Sequence, residues 1–270
     1  MFDPGLYPDI SHKVYHAMDS IVSNSYLGRL DKCPANAKIP MPDTPALIIG
    51  RAFHSIVLDG LESFKKHFAV LPDIDKRTKE GKAAYAQFCE ENGAKEVISL
   101  PDYEILAEML SAVATHPIAS KLMMEGRSEM SVFWTDEETG LPCKCRPDRI
   151  PDGEHGVILD LKSVRNADVH AFTNAVMNYG YAREAAFYID GFNAVSSAKV
   201  DAFVFICVEK EPPYRVETYC LEELFVEDGR REYRRLMATE VECRKNQFWP
   251  NYQYSEIMTL YMPGWAGGKL

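Results

Sequence analysis

The apolar run VILDLKS, residues 157–163, is the segment that most constrains the fold of this chain. A short continuous aliphatic run of this kind is typical of a central strand that is covered on both faces. Asp160 and Lys162 interrupt the run. Because strand side chains alternate between faces, these two point the same way. A charged pair on a buried strand is costly unless it is paired, metal-bound or near solvent, so the pair calls for a reason.

The sequence changes from helical to strand-rich patterns near Gly126. Before it, periodicity predicts helices over 44–58, 78–91, 101–113 and 119–124. After it, EMSVFWT, LPCKCRPDRI and VILDLKS predict a three-strand meander with turns at DEETG and PDGEHG. Helices over 168–178 and 183–195, strands over 202–208 and 214–220 and a charged helix over 221–245 follow. The pattern predicts an α/β fold in one domain, 1–270, with a mainly helical portion at 1–126 and an α/β core at 127–270.

Asp148 follows Pro147 in CRPDRI, and proline cannot donate to a strand ladder, which favours a strand end or bulge there. Asp148 can then turn toward Asp160. Two close carboxylates repel each other unless a divalent cation neutralises them, and their hard oxygens suit Mg²⁺ or Mn²⁺. Lys162 beside such a metal could orient or deprotonate a water, or stabilise transition-state charge. The alternative is a plain salt bridge at a strand end, which explains most acid-x-Lys pairs.

Two further residues bear on this site. Glu129 begins the predicted meander and is either a third carboxylate at the same sheet end or a solvent-exposed strand start. His54, in GRAFHSIVLD, lies on an otherwise apolar helix, where a lone histidine is usually a satisfied core residue.

The bulk composition limits how the chain can meet nucleic acid. A formal net charge of -10 argues against a generic nucleic-acid coat, because phosphate binding depends on lysine and arginine. If DNA is the substrate, the basic residues must be concentrated, and the run Lys76, Arg77, Lys79 and Lys82 is either a DNA contact or a solvated helix start. The sequence shows no apolar leader and no membrane span, so we expect a cytoplasmic protein.

Several residues imitate functional motifs. The seven cysteines are scattered, so we expect reduced thiols, with Cys143 and Cys145 buried on one strand face. His155 and His170 lack zinc spacing and read as surface residues. Three tyrosines near the second half's helices fit core packing better than base stacking. They are Tyr179, Tyr181 and Tyr188.

Together these segments resemble the PD-(D/E)XK nucleases of the RecB and lambda-exonuclease type, and most closely their RecE-type branch. The similarity is carried by GRAFH, Glu129, Pro147-Asp148, Asp160-Leu161-Lys162 and a helix with Glu184 and Tyr188 four apart. Further matching segments are PGLYPDISHKVYH, VSNSYLGRLDKCP, KRTKEGK, the stretch from 160 to 192 and Pro263-Gly264-Trp265.

The resemblance implies a mixed sheet flanked by helices and a metal site at Asp148 and Asp160, with Glu129 and His54 as further contributors. It makes Lys162 the catalytic lysine. It also implies Mg²⁺-dependent, or Mn²⁺-dependent, 5′→3′ degradation of linear duplex DNA to 3′ overhangs. The implied partners are a RecT-type single-strand annealing protein, in phage or prophage recombination, and other copies of the chain. The RecE-type branch implies that these copies form a ring-shaped tetramer.

The chain departs from the family pattern at Glu184, where a glutamine is common. A fourth carboxylate at the site could change the preferred metal or weaken the grip on DNA; it could instead pair with Arg183 or Arg146. Two alternatives to the exonuclease stay open. They are a related nuclease that cuts single strands or internal sites, and a non-catalytic DNA-binding recombination protein.

Overall fold

The computed structural model describes residues 2–40, 42, 44–124, 126–150, 155–252, 257 and 259–263. Its strands are β1 (Gly5–Tyr7), β2 (Phe68–Leu71), β3 (Glu96–Ser99), β4 (Arg127–Ser128), β5 (Ser131–Thr135), β6 (Pro142–Cys145), β7 (Arg149–Ile150), β8 (His155–Val164), β9 (Lys199–Glu209) and β10 (Val216–Cys220). Its α-helices are α1 (His12–His16), α2 (Asn24–Lys32), α3 (Pro45–His54), α4 (Gly60–His67), α5 (Lys79–Asn92), α6 (Leu100–Thr115), α7 (Ala119–Met124), α8 (Val169–Tyr179), α9 (Tyr181–Val195) and α10 (Glu223–Asn246).

The aliphatic run lies on β8, at the centre of a mixed sheet with the order β10-β9-β8-β7-β4 among the described residues. β8 pairs parallel with β9 and antiparallel with β7, so both of its edges are hydrogen-bonded. Ile158, Leu159 and Leu161 are fully buried. The prediction of an α/β fold with a mixed sheet and flanking helices is confirmed.

The predicted three-strand meander is wrong. β5 and β6 do pair, but they form a separate antiparallel sheet with β1, in the order β1-β5-β6. The segment LPCKCRPDRI therefore supplies β6 to one sheet and β7 to the other. The chain crosses between them at Arg146 and Pro147. The Arg146 guanidinium bonds the Ile10 carbonyl and the Ser131 hydroxyl, which anchors the crossing.

The N-terminal half contains more than the predicted helices. α1, α2 and α4 are additional, and β2 and β3 form a small parallel sheet. The helix predicted over 44–58 begins correctly, with the Thr44 hydroxyl accepting from the Leu47 N–H at 3.3 Å. It then changes at Ser55–Asp59 to a π-helical segment, and Gly60, at φ 84°, starts α4.

The elements after β8 follow the prediction closely. Asp168 caps α8 through the His170 N–H, as expected. α8 ends at Gly180, whose φ of 71° is the left-handed conformation that glycine adopts readily. The chain turns there directly into α9, which brings Tyr181 and Glu184 next to β8. Among the described residues no helix has the length and apolar character of a membrane span.

Two apolar clusters cover the two faces of the central sheet. One packs Ile158, Phe203 and Phe205 against α8, α9 and the β1-β5-β6 sheet. The other packs Leu161 and Ile206 against α3, α6 and α7. Alternation along β8 thus sends odd-numbered and even-numbered side chains into different cores.

Two glycine substitutions inside helices should have opposite effects on stability, because one glycine lies at the tight contact between α9 and α10 and the other lies in open space. A Cβ added at Gly229 would lie 2.1 Å from the Ala182 carbonyl oxygen, so the helices must separate. We expect Gly229→Ala to lower the free energy of unfolding by about 2 kcal/mol or more. Gly50, inside α3, has nothing within 4 Å of its added Cβ.

Gly50→Ala is therefore the matched control, and it should raise the free energy of unfolding by about 0.5–1 kcal/mol. Urea unfolding followed by circular dichroism measures both changes. Equal effects of the two substitutions would contradict this account of the helix interface.

Candidate active site

The charged pair of β8 is buried next to Asp148 and Glu184, which line a groove. Asp160 is only 3% exposed, and Lys162 Nζ lies 2.7 Å from its Oδ2. Burial, Glu184 and Asp148 raise the pKa of Asp160 well above its usual value, against the opposing effect of Lys162. Burial opposes protonation of Lys162, but Asp160, Glu184 and Asp148 outweigh it and raise its pKa. The sequence-based expectation that Asp160 and Lys162 share one face is confirmed.

Asp148 approaches β8 from the crossing between the two sheets. Its Oδ2 accepts the Leu161 N–H at 2.6 Å, and its Oδ1 lies 3.2 Å from His54 Nδ1. Burial opposes the charge on Asp148, but His54, Lys162 and the Leu161 N–H together lower its pKa. Asp148 has therefore turned toward the strand of Asp160, as the proline before it suggested.

His54 is an ion-pair partner of Asp148 here and not an isolated core residue. Burial opposes its protonation, but the charge of Asp148 and a hydrogen bond to it outweigh that effect and raise the pKa of His54 to about 9. The imidazole is thus positively charged at neutral pH in the protein without metal. Its role as a metal ligand stays a prediction.

Glu129 lies in the loop between β4 and β5, and not at the start of a strand as predicted. Its φ of 47° is unusual for a residue with a side chain and costs on the order of 1 kcal/mol. This backbone turn lets the Glu129 N–H donate to the Asp148 carbonyl at 3.1 Å. Burial and Asp148 raise the pKa of Glu129, and Arg146 Nη1 lies 3.8 Å from its carboxylate. Glu129 thus borders the site, and its metal role stays a prediction.

Glu184 faces the site, but its partner differs from both expected ones. It accepts a hydrogen bond from Lys162 Nζ at 2.9 Å. Arg183 instead pairs with Glu232, and Arg146 lies by Glu129, so the suggested pairings of Glu184 with these arginines are wrong. Tyr188, one helical turn after Glu184, lines the same groove.

The groove has a volume of about 900 Å³, and its lining combines several carboxylates with basic residues that sequence reasoning missed. These basic residues include His12, His16, Arg29, Arg51, Lys66 and Lys144. The Lys144 ammonium donates to the Tyr15 and Met18 carbonyls, and burial lowers its pKa to about 8. One signal was available: strand alternation puts Lys144 on the opposite face from Cys143 and Cys145. The contribution of Arg51 and Arg29 depends on long-range packing and has no local signal.

The basic run before and within α5 lies outside the groove lining. Lys76, Arg77, Lys79 and Lys82 are exposed, and α5 buries none of its residues. Arg77 pairs with Asp75, and Lys76 lies over the Tyr85 ring at 3.7 Å. DNA contact by this run stays a prediction.

The remaining expectations have mixed outcomes. Cys143 and Cys145 are buried as predicted, and His170 is exposed. The core-packing interpretation is wrong for Tyr179, which is 69% exposed, although Tyr181 and Tyr188 pack against the core. The turn PDGE, the His155 side chain and Gly264-Trp265 lie outside the described residues.

The donor set fits a divalent cation of the Mg²⁺ kind. Asp160 Oδ2 is buried, and among the described residues the Lys162 ammonium, 2.7 Å away, is the group that compensates its charge. A buried carboxylate oxygen with so little compensation can also bind a cation. The described residues contain no group of three His, Cys, Asp or Glu side chains arranged around one point. Asp148 and Asp160 still suffice, because Mg²⁺ commonly binds one or two carboxylates and keeps several waters.

Comparisons with known proteins identify the family and the fold. The model of the family described as the PDDEXK-like domain of unknown function DUF3799 matches residues 23–259. A crystal structure of a candidate exonuclease from Eubacterium rectale has a TM-score of 0.62 at 13% identity, covering 94% of this chain and 96% of that one. The structure of SSO0001 covers 76% of this chain and 88% of that one, at 12% identity and a TM-score of 0.31. No curated protein matches the sequence.

The fold and site define a protein of the PD-(D/E)XK nuclease superfamily. Within it, this chain belongs to the PDDEXK-like domain family, whose model spans most of its length. The likeness to the Eubacterium rectale structure supports the same fold.

The ion pair between His54 and Asp148 predicts a pH-dependent stability in chelator-treated protein. A histidine pKa raised from 6.5 to about 9 adds stability that is full below pH 6.5 and is lost as the pH rises through 9. Between pH 6 and pH 9.5, wild type should lose on the order of 2–3 kcal/mol more unfolding free energy than His54→Gln. Urea unfolding at the two pH values measures this. The idea fails if wild type and variant lose the same amount.

Proposed function

We propose that this chain is a divalent-metal-dependent deoxyribonuclease, and specifically an exonuclease that degrades linear duplex DNA 5′→3′ and leaves 3′ overhangs. One observation carries the metal-dependent chemistry: the buried oxygen Oδ2 of Asp160 is paired with Lys162, next to Asp148 and Glu184, which line a groove. The family and fold support a nuclease of this superfamily. The polarity and the duplex preference come from the RecE-type resemblance.

The carboxylates of Asp148 and Asp160 would hold the cation. A cation bound there supplies Lewis-acid polarisation of the scissile phosphate and lowers the pKa of an attacking water. In hydrolysis the water oxygen bonds to phosphorus, a phosphorus–oxygen ester bond breaks, and the leaving oxygen gains a proton. Asp148 is already held in its charged form by the Leu161 N–H and His54, so it is preorganised for a cation.

The Lys162 ammonium would act on the attacking water and on the scissile phosphate. In the metal-free chain the carboxylate neighbours of Lys162 raise its pKa and favour the ammonium. Its proposed role is to orient the water and stabilise negative charge on the phosphate, which are two of the three roles that the sequence left open. The groove's cations would hold the DNA backbone, which reconciles phosphate binding with a net charge of -10.

The remaining parts of the proposal rest on the resemblance alone. They are a homo-oligomeric ring and a single-strand annealing partner in recombination. The proposed cytoplasmic location is instead the expectation from the sequence pattern. Mg²⁺ is the proposed metal, with Mn²⁺ as a substitute, since both prefer oxygen ligands.

Loss of the ammonium should abolish most activity. We expect Lys162→Ala to lower the rate of Mg²⁺-dependent duplex degradation at least about 100-fold, because charge stabilisation by a positioned group is worth this much. Lys65→Ala is the control, since Lys65 is an exposed lysine paired with Glu62. Release of acid-soluble nucleotides from linear duplex measures both. An unchanged rate in Lys162→Ala would refute the catalytic assignment.

Substrate choice separates the exonuclease from its rivals. Linear duplexes labelled at one 5′ end should lose the label early and only with Mg²⁺, whereas closed circles should stay intact. Cleavage of circles or a preference for single strands would instead favour a related nuclease that cuts internal sites or single-stranded DNA. DNA binding without metal-stimulated cleavage in any substrate would favour the non-catalytic protein.

A further inference from the structure

Lys162 contacts two carboxylates. Its ammonium donates a hydrogen bond to Glu184 Oε2 at 2.9 Å. It also forms an ion pair with Asp160, whose Oδ2 lies 2.7 Å away. The ammonium is therefore shared between Glu184 and Asp160.

A divalent cation and Lys162 compete for the same oxygen. Like charges a few ångströms apart in a poorly hydrated site repel strongly, so a cation on Asp160 must displace the ammonium. Lys162 has little room to leave, because its side chain is 18% exposed and its ammonium lies 4.8 Å from the centre of the Tyr181 ring. Without another partner, the displaced charge would stay buried and unpaired.

Glu184 supplies that partner. Its side chain is 13% exposed, and the first turn of α9 holds it against β8 after the turn at Gly180. We propose that Glu184 is a positioning residue that retains Lys162 when a divalent cation takes Asp160, so that metal and lysine occupy the site together. This inference rests on the metal site of the proposed function.

The charge of Glu184 is essential to this role. A glutamine at 184 could still accept a hydrogen bond, but it would not neutralise the ammonium. Lys162 would then be drawn toward Asp160 and would oppose the entry of the cation. Glu184→Gln should therefore weaken metal binding, and the loss should depend on the presence of Lys162.

Binding of Mn²⁺ alone to the chelator-treated full chain, without DNA, tests the proposal by calorimetry. We expect Glu184→Gln to weaken Mn²⁺ binding about tenfold, the effect usual for partners of metal-ligating groups. Lys162→Gln should tighten binding, since it removes the competing charge. Adding Glu184→Gln to Lys162→Gln should cost only about threefold, from the lost negative charge by itself.

A purely electrostatic role of Glu184 gives the same loss with and without Lys162, and that result would overturn the proposal. Glu96→Gln is the matched control: it removes a paired carboxylate from the same groove, where Arg51 is the partner, and should leave Mn²⁺ affinity within about twofold. Circular dichroism confirms folding of each variant.

Two further outcomes separate this inference from the proposed function. If wild type binds no Mn²⁺, the metal site itself fails. If wild type binds, Asp160→Asn abolishes binding and Glu184→Gln has no effect, only the positioning role fails. As a second readout, excess Mg²⁺ should restore most of the rate of DNA degradation to Glu184→Gln, a change in metal requirement rather than in maximal rate.

Discussion

The burial of two opposite charges on the central strand is the constraint on which the rest of the site depends. β8 is hydrogen-bonded on both edges, and Asp160 is almost fully buried. Removing an aspartate and a lysine from water costs several kcal/mol each unless neighbouring charges compensate. The surrounding elements supply that compensation: α9 brings Glu184, and the crossing between sheets brings Asp148 with His54 of α3. The packing of the apolar cores thus positions α3, α9 and the crossing, and the same elements carry the charges that compensate Asp160 and Lys162.

That charge balance leaves the carboxylates in excess. Asp148, Asp160 and Glu184 meet Lys162 and a protonated His54, with Glu129 and Arg146 at the border. Burial is the main cause of the raised pKa values of Asp160 and Glu129, and the neighbouring carboxylates add to it. A cation bound there would offset both effects, because it favours the charged form of each acid. The same excess would be a liability in a purely structural salt-bridge network, which argues against the plain salt-bridge alternative.

The sequence predicted the parts of the fold that depend on local patterns. Helices α5, α8, α9 and α10 and the central strand follow from periodicity and from caps such as Asp168. The meander prediction failed because alternation gives the face of a side chain but not the sheet in which its strand pairs. The short strands β2 and β3 were missed because four residues between helices carry too little pattern.

In the site, too, the residues set by local pattern were predictable and those set by long-range packing were not. Asp148, Asp160 and Lys162 were predictable because strand alternation and a proline bring them together within one short stretch. The choice of Lys162 as the partner of Glu184, 22 residues away, was not, since it depends on how α9 packs on β8. The groove was also hidden, because its cations come from separate segments of the chain.

The contrast between the whole chain and the groove bears on how such a protein would select DNA. The net charge is -10, yet the pKa of His16 in the groove is lowered to about 4, first by burial and then by His12, Lys144, Arg146 and Arg51. Positive charge is therefore concentrated around His16 rather than along the whole groove, whose lining also includes Asp9, Asp59 and Glu96. A local cluster of cations in an acidic protein attracts phosphates at one place and not along the whole surface. In the proposed function, the DNA backbone would therefore meet the groove at this cluster.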